Sequence, residues 1–113
     1  MSIFQRQVTS ISMTYGGTKN EDVKWINNPD EGWNSSVQNV ILDIENGWRY
    51  FVRTRGLPDA DLSIVKHDEG DRRTWYVRTD PDGLEYNNLL MLPGGIAGTG
   101  AINAIARAML NQR

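Results

Sequence analysis

The chain has 113 residues, a net charge of −2 and no cysteine. That length holds one domain with one core. Without cysteine there is no disulfide, thiolate metal site or cysteine nucleophile. The single histidine, His67, rules out a multi-histidine metal centre, and the slight negative charge argues against general nucleic-acid binding through bulk electrostatics. No apolar run approaches a membrane span, and the first residues, "MSIFQRQVTS", lack a signal-peptide core. The expectation is a single domain over residues 1–113, cytoplasmic, with no metal and no cofactor.

Residues 3–14, "IFQRQVTSISMT", are β-rich and read as a strand, with Ile11 and Met13 alternating against polar neighbours. "YGGTKNED" is turn material. "VKWIN" reads as a second strand pairing with the first, and "NPDEGWNSS" as a loop. The period then changes. Val37, Val40, Ile41 and Ile44 stand at i, i+3, i+4 and i+7, one face of a helix, with Ser35 or Ser36 to cap its start and Gly47 to end it. Three strand-like runs follow. "WRYFVRT" puts Trp48, Tyr50 and Val52 on one face and Arg49, Phe51 and Arg53 on the other; "DLSIVKH" is the next; "TWYVRT" opposes Trp75 and Val77 to Tyr76 and Arg78. "RGLPDA", "HDEGDR" and "DPDG" are the connecting turns.

Thr99 to Asn111 reads as a last helix, with Ile102, Ile105, Ala106 and Met109 on its apolar face and Asn103, Arg107 and Asn111 in a polar stripe. A second stripe of Ala97, Ala101, Ala104 and Ala108 invites close approach of another copy, so a homodimer or higher homo-oligomer through this helix is expected. The fold class is α+β: a mostly antiparallel sheet with one crossing helix and a C-terminal helix, in the order β-β-α-β-β-β-α.

Two stretches raise chemical questions. Gly94, Gly95, Gly98 and Gly100 crowd in just before the last helix or within its first turn. They serve either a sharp turn with close packing or an anion held on free backbone N–H groups. The residues around them form neither a Walker loop nor a dinucleotide fingerprint. The second stretch is the Arg/aromatic alternation. Nine of the twelve basic residues are arginine, whose planar fork suits phosphate and carboxylate. If the strands bearing Arg49, Phe51, Arg53, Tyr76 and Arg78 pair, one sheet face mixes rings and guanidinium groups. That face suits a nucleotide, or it is a solvated face whose Arg stems cover aromatic surface. His67 with Asp68 and Glu69, and Asp80 with Asp82 and Glu85, lie in turns without a nucleophile partner, so no catalytic residue is assigned and no enzymatic activity is expected.

"TWYVRTDPDGLEYNNLLMLP" resembles a family of small bacterial and phage domains of unknown function that carry a strand, a T-x-PDG turn, then NNL and LP. "SVQNVILDIENGWRYFVR" is similar to that family's capped helix and aromatic strand, so the likeness covers roughly residues 35–93. The layout also resembles phage anti-defence sponge proteins that counter Thoeris immunity. That resemblance implies a dimer paired through C-terminal helices, and capture of cyclic ADP-ribose isomers, with cyclic oligonucleotide signals in some members, without cleavage. It implies a pocket lined by Tyr76, Asn87 or Asn88, Asn103 and Arg107, to which the Arg/aromatic face adds Arg78.

The expected function is therefore sequestration of a cyclic nucleotide immune signal, in the host cytoplasm if the protein is phage-encoded. The partners are a small-molecule ligand and a second copy, with neither membrane nor nucleic acid. The alternative is a small protein–protein interaction module anchored by Trp25, Trp33 and Trp48.

Overall fold

The computed structural model describes residues 4–79 and 89–95. Among these residues, seven strands form two sheets and pack with one α-helix around one core. The strands are β1 (Gln5–Gln7), β2 (Ser10–Met13), β3 (Val23–Asn28), β4 (Trp33–Ser36), β5 (Arg49–Val52), β6 (Ala60–Val65) and β7 (Tyr76–Thr79), with the helix α1 (Val37–Glu45) between β4 and β5. One sheet has the order β1-β5-β6-β7 and the other β2-β3-β4. All pairings are antiparallel except β1 with β5. The α+β class and the antiparallel bias match the expectation from sequence.

The first strand expected over residues 3–14 is two strands, one in each sheet. The crossing falls at Val8 and Thr9. The Val8 N–H donates to the Phe51 carbonyl, while the next N–H, that of Thr9, donates to the Asn27 carbonyl. Val8 is 1% exposed, so the crossing residue is itself a core residue. "NPDEGWNSS" is not a plain loop either. Pro29–Glu31 makes a single 3-10 turn capped by the Asn28 side chain, Gly32 takes the left-handed φ of 78°, and β4 returns antiparallel to β3. Asn28, 2% exposed, has both ends of its amide satisfied: Nδ2 donates to the Gln7 carbonyl and Oδ1 accepts from the Glu31 N–H.

The helix forms where the period predicted. Ser36 is its N-cap, with Oγ accepting from the Asn39 N–H at 3.2 Å, and Gly47 follows its end at φ 94°. Val37, Val40 and Ile41 are buried and Ile44 packs against the same cluster. Full burial of one such side chain contributes roughly 1.5–3 kcal/mol. The stripe meets Ile11, Val23 and Ile26 from one sheet and Tyr50, Val52, Leu62 and Val77 from the other.

The glycine question has a packing answer where the chain is described. The Ile11 N–H donates to the Pro93 carbonyl, which lays the "LPGG" turn on β2. Gly94 holds φ 89°, and a Cβ there would run into the Ile11 carbonyl oxygen; a Cβ on Gly95 would run into the Leu90 carbonyl oxygen. Both positions need glycine for close approach, not for an anion. Gly98, Gly100, the expected helix from Thr99 to Asn111 and its alanine stripe lie outside the described residues.

Candidate functional site

The Arg/aromatic face exists, but not by direct pairing of β5 with β7, because β6 lies between them. The register still gathers the residues on one face: Phe51 opposes Asp61, Arg78 opposes Ser63 and Tyr76 opposes Val65. At its β5 end this face is closed on itself. The guanidinium carbons of Arg49 and Arg53 lie 4.3 and 4.9 Å from the Phe51 ring centre, and Phe51 is 4% exposed. Arg53 bonds Asp59 through two nitrogens at 3.0 Å; Arg49 reaches Asp61 at 2.8 Å and Asp59 at 3.4 Å. Rings and charges are already spent on each other there.

Two other aromatic groups are closed in the same way. The Arg6 guanidinium lies 4.8 Å from the Trp33 ring centre and 5.1 Å from that of Trp48, and donates to the Tyr50 hydroxyl. Tyr50 in turn donates to Asp43 at 2.5 Å. Burial and that bond push the Tyr50 phenol up to about 12. Trp75 carries Arg72 at 4.3 Å and Lys66 at 4.8 Å, and its indole N–H donates to the Asp68 carbonyl.

Trp25 is different, and a β-bulge makes it so. Ser12 opposes Trp25 but Met13 opposes Val23, so Lys24 is an extra residue in β3. The bulge lets Val23 and Ile26, three residues apart, both bury at 2% and 0% exposure, while Lys24 and Trp25 both turn outward. Trp25 is 44% exposed. It lines a groove of about 660 Å³ together with Glu21, Lys24, the start of α1 at Ser36, Val37 and Gln38, the short turn Arg72–Thr74, and Tyr76. The volume is within the range of small-molecule sites.

The groove's charges are set by its ion pairs. Arg72 forms a two-pronged bond to Glu45 at 2.5 and 3.1 Å, which holds the Glu45 carboxyl below its usual range. Arg73 does the same with Asp71 at 2.9 and 3.0 Å, with the same effect on Asp71. Among the described residues, Lys24 and Glu21 have no ion pair.

Of the residues expected to bind ligand, Tyr76 lines this groove. Arg78 is exposed one full strand repeat further along β7 and is not among the lining residues. Asn87, Asn88, Asn103 and Arg107 lie outside the described residues. Of the three tryptophans expected as interaction anchors, Trp33 and Trp48 pack against the core and Trp25 is exposed. Lys24, Arg72 and Arg73 were not singled out from sequence. The signal that could have found the first was the broken alternation in "VKWIN", where Val23 and Ile26 cannot share a face without an extra residue between them.

His67 and Glu69 are exposed, and Asp68 uses its carboxylate to accept the Gly70 N–H. That is turn stabilisation. Among the described residues no helix is long and apolar enough to cross a membrane.

The match to known proteins is to a family alone. No curated protein and no solved structure matches the chain. The family profile covers residues 7–93, which include β2 to β7, the last residue of β1, α1 and every residue lining the groove. The chain belongs to the family described as "Protein of unknown function (DUF3892)".

Proposed function

We propose that the protein is a non-catalytic binding domain that takes a nucleotide-type ligand into the Trp25 groove and holds it unchanged. One observation carries this reading: Trp25 stands open beside Lys24 and Tyr76, whereas Phe51, Trp75 and the Trp33–Trp48 pair are each covered by the chain's own cations. A planar base stacks on an open indole, and such stacking is worth about 1–3 kcal/mol per base. Lys24 supplies charge for a phosphate, and the Gln38 amide and Ser36 lie at the groove wall to meet polar edges.

Sequestration of a cyclic ADP-ribose-type or cyclic oligonucleotide immune signal by a phage-type anti-defence protein is the finer form of this proposal. It is supported by Tyr76 lining the groove, and it would add Asn87, Asn88, Asn103 and Arg107 to the ligand's surroundings. Thermal denaturation against cyclic ADP-ribose isomers, cyclic di- and trinucleotides, NAD and ADP-ribose tests it. A ligand at a hundred times its dissociation constant adds roughly 2.7 kcal/mol of stability. Recovery of intact ligand after heating fits a sponge, and altered ligand would make the protein an enzyme. The exposure of Trp25 also favours a second reading, a protein-interaction module with that ring as its anchor. That reading predicts no nucleotide-induced shift.

A further inference from the structure

Resting on the groove reading above, the charge balance around Trp25 specifies the ligand more narrowly. Four charged side chains line the groove: Glu21, Lys24, Arg72 and Arg73. The two arginines face carboxylates in two-pronged geometry, Arg72 with Glu45 and Arg73 with Asp71. Recruiting Arg72 to a ligand would strip Glu45 of its partner beside the incoming anion; recruiting Arg73, whose side chain is 90% exposed, would do the same to Asp71 with more screening by water. Lys24 has no carboxylate within ion-pair distance among the described residues, although Asp22 lies within electrostatic reach of it, and it projects from the bulge next to the ring. Glu21, three residues earlier, puts an unpaired negative charge on the same groove. One negative charge on a ligand therefore meets Lys24; a second, adjacent one finds the other lining cations, Arg72 and Arg73, already facing Glu45 and Asp71, and is repelled by Glu21.

A phosphodiester carries one charge per phosphate, a terminal phosphomonoester about 1.5–2 near neutral pH, and a pyrophosphate bridge two charges side by side. We infer that the groove selects a phosphodiester nucleotide, one base stacked on Trp25 and one singly charged phosphate on Lys24, over nucleotides with a terminal phosphate or a pyrophosphate; of the two signal classes named above it therefore favours the cyclic oligonucleotides over cyclic ADP-ribose, whose bridge is a pyrophosphate. Lys24 is the residue that confers this selectivity, and Glu21 is the one that rejects the extra charge.

The test is isothermal titration of the full chain with four probes of one base: adenosine, 3′,5′-cyclic AMP, AMP and ADP-ribose, repeated with the guanine series. The expected order is the cyclic diester tightest, by about fivefold or more over the uncharged nucleoside. Lys24→Met is expected to erase that preference, so that diester and nucleoside bind alike. Glu21→Gln is expected to narrow the gap between the diester and ADP-ribose. Both residues are at the surface, so circular dichroism should report unchanged folding. ADP-ribose binding tighter than the diester, or a diester preference that survives Lys24→Met, overturns the inference while leaving a nucleotide groove. Failure of every probe to bind removes the groove reading itself, and the inference with it.

Discussion

Phe51 and Trp25 are both aromatic residues on strands with basic neighbours in sequence, and they end in opposite states. Phe51 lies under two guanidinium groups, each tied to aspartate, at 4% exposure; Trp25 is 44% exposed beside a lysine with no carboxylate at ion-pair distance among the described residues. The difference comes from the strand. In β5 strict alternation keeps Arg49, Phe51 and Arg53 on one face, so the arginine stems fold over the ring between them. In β3 the bulge at Lys24 sends the cation and the ring out at neighbouring positions, and the lysine does not cap the indole. The same residue chemistry closes one surface and leaves the other available.

The strongest test of this contrast is Phe51→Ala. If the ring is as integrated as its burial indicates, removing it should cost about 3 kcal/mol in urea denaturation. A loss under about 1 kcal/mol would mean that the Arg–Phe sandwich is a surface ornament rather than a packed unit. Gly94→Ala should cost about 2 kcal/mol or more, because it combines a left-handed backbone with a collision against the Ile11 carbonyl. A neutral result would reopen the anion-site explanation of the glycines.

Tyr50→Phe tests a second closed cluster. It removes the hydroxyl that links Arg6 to Asp43 and should cost about 1–2 kcal/mol at neutral pH. Because the folded-state phenol is raised to about 12, its contribution should hold below pH 10 and fall between pH 10 and 12, where the unfolded phenol ionises first. Absorbance titration of the native protein should show this tyrosine ionising late.

Trp25→Ala should barely touch stability, by less than about 1 kcal/mol, since the residue is already 44% exposed. It should weaken nucleotide binding by about tenfold or more. Loss of folding instead would place Trp25 in the same class as Phe51 and erase the contrast. The smallest effect is on the acid limb. Hydrogen bonds from Arg53, reinforced by Arg49, hold the Asp59 carboxyl below its usual range. A depressed carboxylate stabilises above its unfolded pKa and loses that contribution as pH falls through the folded value. Wild type and Asp59→Asn should therefore differ near neutral pH and converge in strong acid, read from urea midpoints at successive pH values.

The site was legible only in part. Tyr76 could be picked from the alternation of "TWYVRT", and it does line the groove. Arg78, chosen on the same alternation, shares the face but falls outside the lining, because strand period fixes which face a side chain takes and not which neighbour it meets. Arg72 and Arg73 were hidden because their place depends on a short turn that packs across to the start of α1, far away in sequence.

What the sequence determined by itself is the local structure with a clear period or stop signal. Helix α1 follows from its Val/Ile stripe, the Ser36 cap and Gly47. The alternating faces of β5 and β7 follow from the twofold side-chain period, and the turns at Gly16 and Gly56 from their glycines; the expected "DPDG" turn lies outside the described residues. Tertiary structure decided the rest. It split the first strand between two sheets at Val8, set β6 between β5 and β7, and made β4 out of a loop-like stretch. It also committed Arg49, Arg53, Arg6 and Arg72 to partners within the chain. The reason is physical: pairing partners and ion pairs join residues remote in sequence, and whether a ring or a charge stays open depends on what the fold brings over it.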